Sequence, residues 1–409
     1  MSVRVRMYNT GFGDCFLLTF PASDRPRKVL IDCGKHTLST TGPKLACVVD
    51  KVLEDITEPA GPKVDVIVAT HRHRDHVQGF SDERWKSVIV GEVWMPWTED
   101  PNDAVARGIC DRQSRRASRL QLGINALAAD PQRDYLLNYA GNNLTNSAAM
   151  NLLHEGFQGG PARRFLPEAE ETRSHFRTDL LPGVDIHVLG PPRDTNVMRQ
   201  MDPPENESFI RAWDIDSKNT TERPSPFSAK WFLNRADFEQ RISRSLEEDL
   251  PLESETKISR VLESPSLELL TRLEEAVNAT SLVLLFHIGN AWLLFPGDAQ
   301  WGTWNAILNH PLHSKLLEHL TFYKVGHHGS HNATPISFVD RYVSDRVLAM
   351  IPYGNVDQWP TIPRTGLLAR FNEKKVLFAR SDEVSTPAPF KATVEGGEVL
   401  FIDAEAPVS

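Results

Sequence analysis

Residues 66–80, VIVATHRHRDHVQGF, place a β-branched apolar run directly before a segment in which three histidines and an aspartate fall within six positions. The run KVDVIVAT is short and suited to a strand buried on both faces. In an extended chain residues i and i+2 project the same way, so His71 and His73 can present their imidazoles to one point while Arg72 and Arg74 point away. Asp75 and His76 follow as the chain turns. Imidazole nitrogens and carboxylate oxygens are the atoms that Zn²⁺ and similar ions take at about 2.0–2.2 Å, so four such groups can serve one or two ions at this strand end.

The surrounding sequence predicts a layered α/β sandwich. Apolar or alternating segments at 3–8, 14–20 and 28–32 form an opening β meander, and KLACVVDKVLEDI has helical spacing. KSVIVGEVWMPW gives a further strand after the histidines, residues 103–158 are helical in composition, and VDIHVLGPP at 184–192 is a strand. From about 193 to 277 the chain is charged and poor in strand signals, the mark of a helical and loop insertion within a single 409-residue domain. A second strand-rich half follows. In TSLVLLFHIGNAWLLFPGD two apolar runs flank Gly-Asn, a hairpin signal. A helix is expected over about 301–319, then strands in LTFYKVGHHGSH and DRVLAMIPYG, a helix near 364–373, the strand KKVLFAR and a terminal pair around GGEVLFID.

Composition narrows the function classes. With 54 acidic against 45 basic residues the net charge is −9, which argues against a sequence-independent binder of long nucleic acid. The four cysteines, Cys15, Cys33, Cys47 and Cys110, have no CxxC spacing, and two lie in apolar runs as core filler. Without an apolar leader or an 18-residue apolar window, the chain is expected to be cytoplasmic and not membrane-bound.

Two further strand ends deliver the same chemistry: LLFPGDAQ ends with Asp298, and YKVGHHGSHN carries His327, His328 and His331. With HRHRDH matching the H-x-H-x-D-H signature, VLIDCG containing Asp32, FPGD and KVGHHGS, the chain resembles the metallo-β-lactamase fold hydrolases. It is most similar to the competence-protein ComEC type of hydrolase domain, on TGFGDCFLLTF, LIDCG, TSLVLLF, FPGD and KVGHHGS. The resemblance covers about residues 3–100 and 278–400.

It implies a four-layer αββα sandwich with two divalent ions, Zn²⁺ or Mn²⁺. His71 and His73 would bind the first, Asp75 and His76 the second, and Asp298 both, with His327 or His328 completing the second site. His328 is favoured by the position of the histidine before glycine in relatives. Asp75 and His328 are the candidate catalytic groups. The first ion often has a third histidine in relatives. His154, His175 and His187 fall in the right interval, and Pro192 of VLGPPRD stands in its place.

A two-ion site hydrolyses. Arg72, Lys324, Ser330 and His331 are candidate contacts to an anionic substrate, joined by Asn332 and Thr334. Together with the nuclease activity associated with the ComEC type, they favour a phosphodiesterase or nuclease acting on a nucleotide or nucleic acid. The alternatives are an ester, thioester or lactam hydrolase of the same fold, or a weakly catalytic regulatory module whose insertion at 193–277 meets a protein partner. Trp94 and Trp97 are expected either to stack on a base or to pack in the core, and RQSRRASR at 112–119 either to meet a nucleic-acid backbone or to be a solvated helix face.

Overall fold

A computed structural model of the chain describes residues 1–125, 136–137, 141–142, 146–168, 175–209, 273–357 and 359–409. Most of the expected insertion, 210–272, lies outside the described residues. The opening meander is antiparallel: β1 (Ser2–Tyr8), β2 (Cys15–Phe20) and β3 (Arg27–Cys33). The helix Leu45–Ile56 follows, burying Val48, Val49, Val52 and Ile56 along one stripe. It leads through the two-residue β4 (Thr57–Glu58) into β5 (Gly61–Val68), which runs parallel to β3. Parallel strands β6 (Ile89–Pro96) and β7 (Ala162–Leu166) extend this sheet.

The second sheet begins with the antiparallel strands β8 (His175–Phe176), β9 (Asp185–Gly190), β10 (Val283–Ile288) and β11 (Ala291–Phe295). It continues in parallel through β12 (Phe322–Lys324), β13 (Leu348–Ile351) and β14 (Leu377–Arg380). The terminal pair, β15 (Lys391–Glu395) and β16 (Glu398–Pro407), returns to the first sheet beside β1. The chain is therefore a mixed α/β protein with two multi-stranded sheets.

Alternation along the strands explains how the layers stack. Val66 and Val68 of β5 point into a core shared by the sheets, with Trp94, Phe286, Phe295 and Phe322, whereas Ile67 points outward to Val48, Val52 and Trp85. On the second sheet Leu285, Leu294 and Tyr323 point outward to Trp304, Phe338 and Leu367 from the covering helices. Both faces of each sheet are covered, which is why β5 reads as an uninterrupted apolar run.

The helix expected over 301–319 is two helices, Trp301–Asn309 and Pro311–Leu317, because Pro311 lacks the N–H a continuous helix needs and opens the second one instead. The cluster RQSRRASR lies on the helix Ala104–Asn125. Trp94 and Trp97 are fully buried, as packing residues. Among the described residues, no helix is long and apolar enough to cross a membrane.

Because β3 runs parallel to β5 and β11 to β12, the carboxyl ends of all four strands open at one edge of the layers, the place where α/β sheets carry their sites. The two sheets are joined there by the amide of Leu282, which donates to the carbonyl of Thr70 at 2.8 Å.

Candidate metal centre

The segment after β5 is shaped by Asp32, at the end of β3. Its carboxylate accepts from the amide and the hydroxyl of Thr70 at 2.8 and 2.7 Å, and from His76 Nδ1 at 2.8 Å. His73 then caps a single helical turn, Arg74–Val77, its carbonyl accepting from the amides of His76 and Val77. That turn brings Asp75 and His76 inward. His71 Nε2 lies 3.0 Å from His73 Nδ1, and the rings of His71 and His76 are 4.0 Å apart.

Gly34 and Gly13 let the loop lie this close to the meander. A Cβ on Gly34 would stand 2.3 Å from the carbonyl carbon of Asp75 and 2.4 Å from the amide of His76. The amide of Asp14 donates to the carbonyl of Asp75 at 2.9 Å across the same gap.

From the second sheet, Asp298 enters 3.2 Å from His76 Nε2, its amide donating to Ser281 Oγ at 3.1 Å. After β12 the chain turns through His327 and His328 with φ of 43° and 54°, a left-handed conformation costly for side chains larger than glycine. The turn separates the two rings. His328 is fully buried, with Nδ1 3.2 Å from the carbonyl of Pro352 and Nε2 3.8 Å from Asp75 Oδ2. His327 is partly exposed, 2.9 Å from the Ser330 hydroxyl and 3.9 Å from Asp298 Oδ2, while its amide donates to Asp298 Oδ1.

Two groups of buried side chains could each hold a metal ion: His71, His76 and Asp298, and Asp14, His76 and His328. Asp14, in the GFGD segment, was not singled out by sequence reasoning, although that segment had been noted for its resemblance. The donors suit such an ion. Asp14 Oδ1, Asp75 Oδ1 and His328 Nε2 are buried without a hydrogen-bond partner, an arrangement that costs about 1–3 kcal/mol or more per group unless a cation or proton engages it. Imidazole nitrogens and carboxylate oxygens, with Asp32 bracing His76 from behind, are donors that could hold a divalent ion.

Burial alone would depress the pKa of His76, but the carboxylates of Asp298, Asp14 and Asp32 hold it well above the usual histidine range. For His71 burial and the neighbouring imidazoles act together and depress it.

Several expected substrate contacts lie elsewhere. Lys324 is 1% exposed and its ammonium group is spent on Asp14, Asp298 and the carbonyl of Gly297, so it offsets buried carboxylates instead of meeting a phosphate. Arg72 points away from the imidazoles, as the strand alternation predicted, and its fork grips Glu99 at 2.9 and 2.6 Å. His154 lies 3.8 Å from the same carboxylate. His175 and His187 stack on each other and line a separate cavity of about 780 Å³ over the outer face of the second sheet, as does Pro192.

Ser330 and His331, by contrast, line a small pocket of about 160 Å³ beside His327, with Asn332, Phe12, Trp359 and Arg364. Thr334 is buried and bonded to Tyr323 at 2.9 Å.

Two outcomes follow from this geometry. Gly34→Ala must push the Asp75–His76 backbone aside, so it should lower both the melting temperature and divalent-ion affinity, read by calorimetric melting and ion titration; unchanged ion affinity would show that the loop does not need the close approach. Burial alone would raise Glu99, but Arg72 brings its pKa down to about 2 from an ordinary value near 4.5. The stabilisation from this pair is therefore complete above pH ~4.5 and is lost as the pH falls towards ~2, so the melting-temperature gap between wild type and the double variant Arg72→Met/Glu99→Gln should narrow over that interval. Compared with known proteins, the chain matches no family model, and no curated protein shows significant similarity to it.

Proposed function

We propose that the chain is a metal-dependent phosphodiesterase or nuclease of the metallo-β-lactamase fold, related to the ComEC type, acting with water as nucleophile. The observation that carries this reading is the convergence of four strand ends on one buried cluster. Asp32, the histidine loop, Asp298 and His328 meet there, and Asp14 Oδ1, Asp75 Oδ1 and His328 Nε2 are buried in it without a hydrogen-bond partner. His71, His73, His76 through its Nε2, and Asp298 would hold one ion, and Asp14, Asp75 and His328 would hold the second, with His327 left at the pocket.

Bound divalent ions supply Lewis acidity, lower the pKa of water and stabilise phosphoryl oxygens. The chain's own groups do the rest. Asp32 orients His76 by taking its Nδ1 side, and the Pro352 carbonyl does the same for His328. Lys324 stays charged beside Asp14 and Asp298, its pKa raised by them against the effect of burial. Asp75 keeps one carboxylate oxygen without a hydrogen bond, a suitable acceptor for the proton of an attacking water.

Arg364 supplies the substrate-facing cation that Arg72 and Lys324 do not. It lines the pocket beside His327, its Nε is buried without a partner, and Nη1 donates to the Thr361 hydroxyl at 2.8 Å. Phe12 and Trp359, with ring centroids 5.2 Å apart, form the apolar wall of this pocket. A cation set against an aromatic wall suits a phosphorylated, ring-bearing group better than an acyl chain.

The test is hydrolysis of bis(p-nitrophenyl) phosphate with added Zn²⁺ or Mn²⁺. Asp298→Asn should lose activity by about a hundredfold or more while remaining folded. Equal turnover in the variant would remove the metal reading. No turnover in folded wild type, with hydrolysis of p-nitrophenyl esters, would move the chain to the carboxylic-ester hydrolases.

Arg364→Gln should raise KM about tenfold or more with a smaller change in kcat, as expected for losing a charge-assisted contact to bound substrate. A fall in kcat alone would show that Arg364 does not bind substrate.

A further inference from the structure

The arginine cluster on the helix Ala104–Asn125 surrounds a cavity distinct from the metal centre. Arg112 and Arg116 line it from this helix and Arg199 from the turn after the helix Thr195–Met198, around a space of about 410 Å³, the size of a small-molecule site. Met198, Met201 and Ile109 give it an apolar lining. Among the described residues no carboxylate pairs with any of the three arginines.

Arg116 is partly buried. Burial first, and then the like charges of Arg112 and Arg199, depress its pKa below the ordinary arginine value. Three guanidinium groups held together in an acidic chain repel one another, and an apolar lining does nothing to offset that charge. A phosphorylated ligand would do both jobs: its phosphate accepts the guanidinium hydrogen bonds in forked geometry, and its ring covers the methionines.

We propose that this cavity is a second phosphate-binding site, which takes a nucleotide-sized phosphorylated ligand on Arg112, Arg116 and Arg199. It shares a wall with the metal centre. Ala276, Ala279 and Thr280 line the arginine cavity, and Asn278, between them, lines the pocket beside His327 and lies 3.5 Å from its Nε2. Ser281, next in sequence, accepts from the amide of Asp298. The same short segment therefore faces a ligand in either place. The ligand is either a second phosphate of the substrate, a case that rests on the phosphodiesterase reading, or a separate free nucleotide, a case that does not.

The first measurement is calorimetric titration of the full chain, with metal removed by EDTA, using AMP, adenosine and inorganic phosphate. AMP should bind saturably and adenosine should not. Binding should weaken about tenfold or more in Arg116→Gln and in the exposed pair Arg112→Gln/Arg199→Gln, and persist in Arg364→Gln, which separates it from the pocket beside His327. The exposed pair guards against a folding defect in Arg116→Gln. No saturable binding by wild type, or equal binding in folded variants, overturns the proposal.

Kinetics then assign the source. A preference for the p-nitrophenyl ester of thymidine 5′-phosphate bearing a 3′-phosphate over the same ester without one, lost in the paired variant, identifies the substrate's own phosphate. A change in turnover on adding AMP, without competition, identifies a separate nucleotide. If neither ester is hydrolysed, the phosphodiesterase reading fails while the titration still decides the arginine site.

Discussion

Four carboxylates, Asp14, Asp32, Asp75 and Asp298, are withdrawn from water within one cluster, and the rest of the site is arranged around that cost. Isolated buried carboxylates would be expected to neutralise by taking up protons; these are offset by Lys324, by the amide and hydroxyl of Thr70 and by His76. The compensation is incomplete, because one oxygen each of Asp14 and Asp75 has no hydrogen bond. A structure that gathers negative charge this way, yet leaves buried acceptors without hydrogen bonds, could hold a cation among them.

Backbone geometry carries a matching cost. His327 and His328 adopt a left-handed conformation that glycine would occupy more readily, and the turn sends one ring into the buried cluster and the other towards the pocket. On the opposite side Gly34 and Gly13 allow backbone contact that any side chain would block. Strain on one side and missing side chains on the other both position the same few donor atoms, and the tightly packed cores of the two sheets hold them there.

Much of the architecture was legible because local pattern and burial agree. The run VIVAT alternates between two apolar layers, the Gly-Asn hairpin joins β10 to β11, and the meander, the helix Leu45–Ile56 and the helix Thr365–Glu373 lie where their spacing put them. Three short strands were missed: the two-residue β4, and β7 and β8. ARRFL and HF are too short and too polar to signal a strand, and they pair only because a sheet edge is already present.

By itself the sequence determined which chemical groups stand at which strand ends, since alternation and turn signals are local and side-chain identity sets the chemistry available. It could not determine what each group meets. His76 and Asp298 are separated by 222 positions and come within 3.2 Å only because two parallel strand pairs open at the same edge. The same contacts between distant segments turned Lys324 and Arg72 to internal carboxylates, brought Asp14 into the cluster, and drew His328 inward while leaving His327 at the pocket. A charged side chain engages the partner that tertiary packing places within reach, and that partner is set by backbone dihedrals and sheet pairing far from it in sequence.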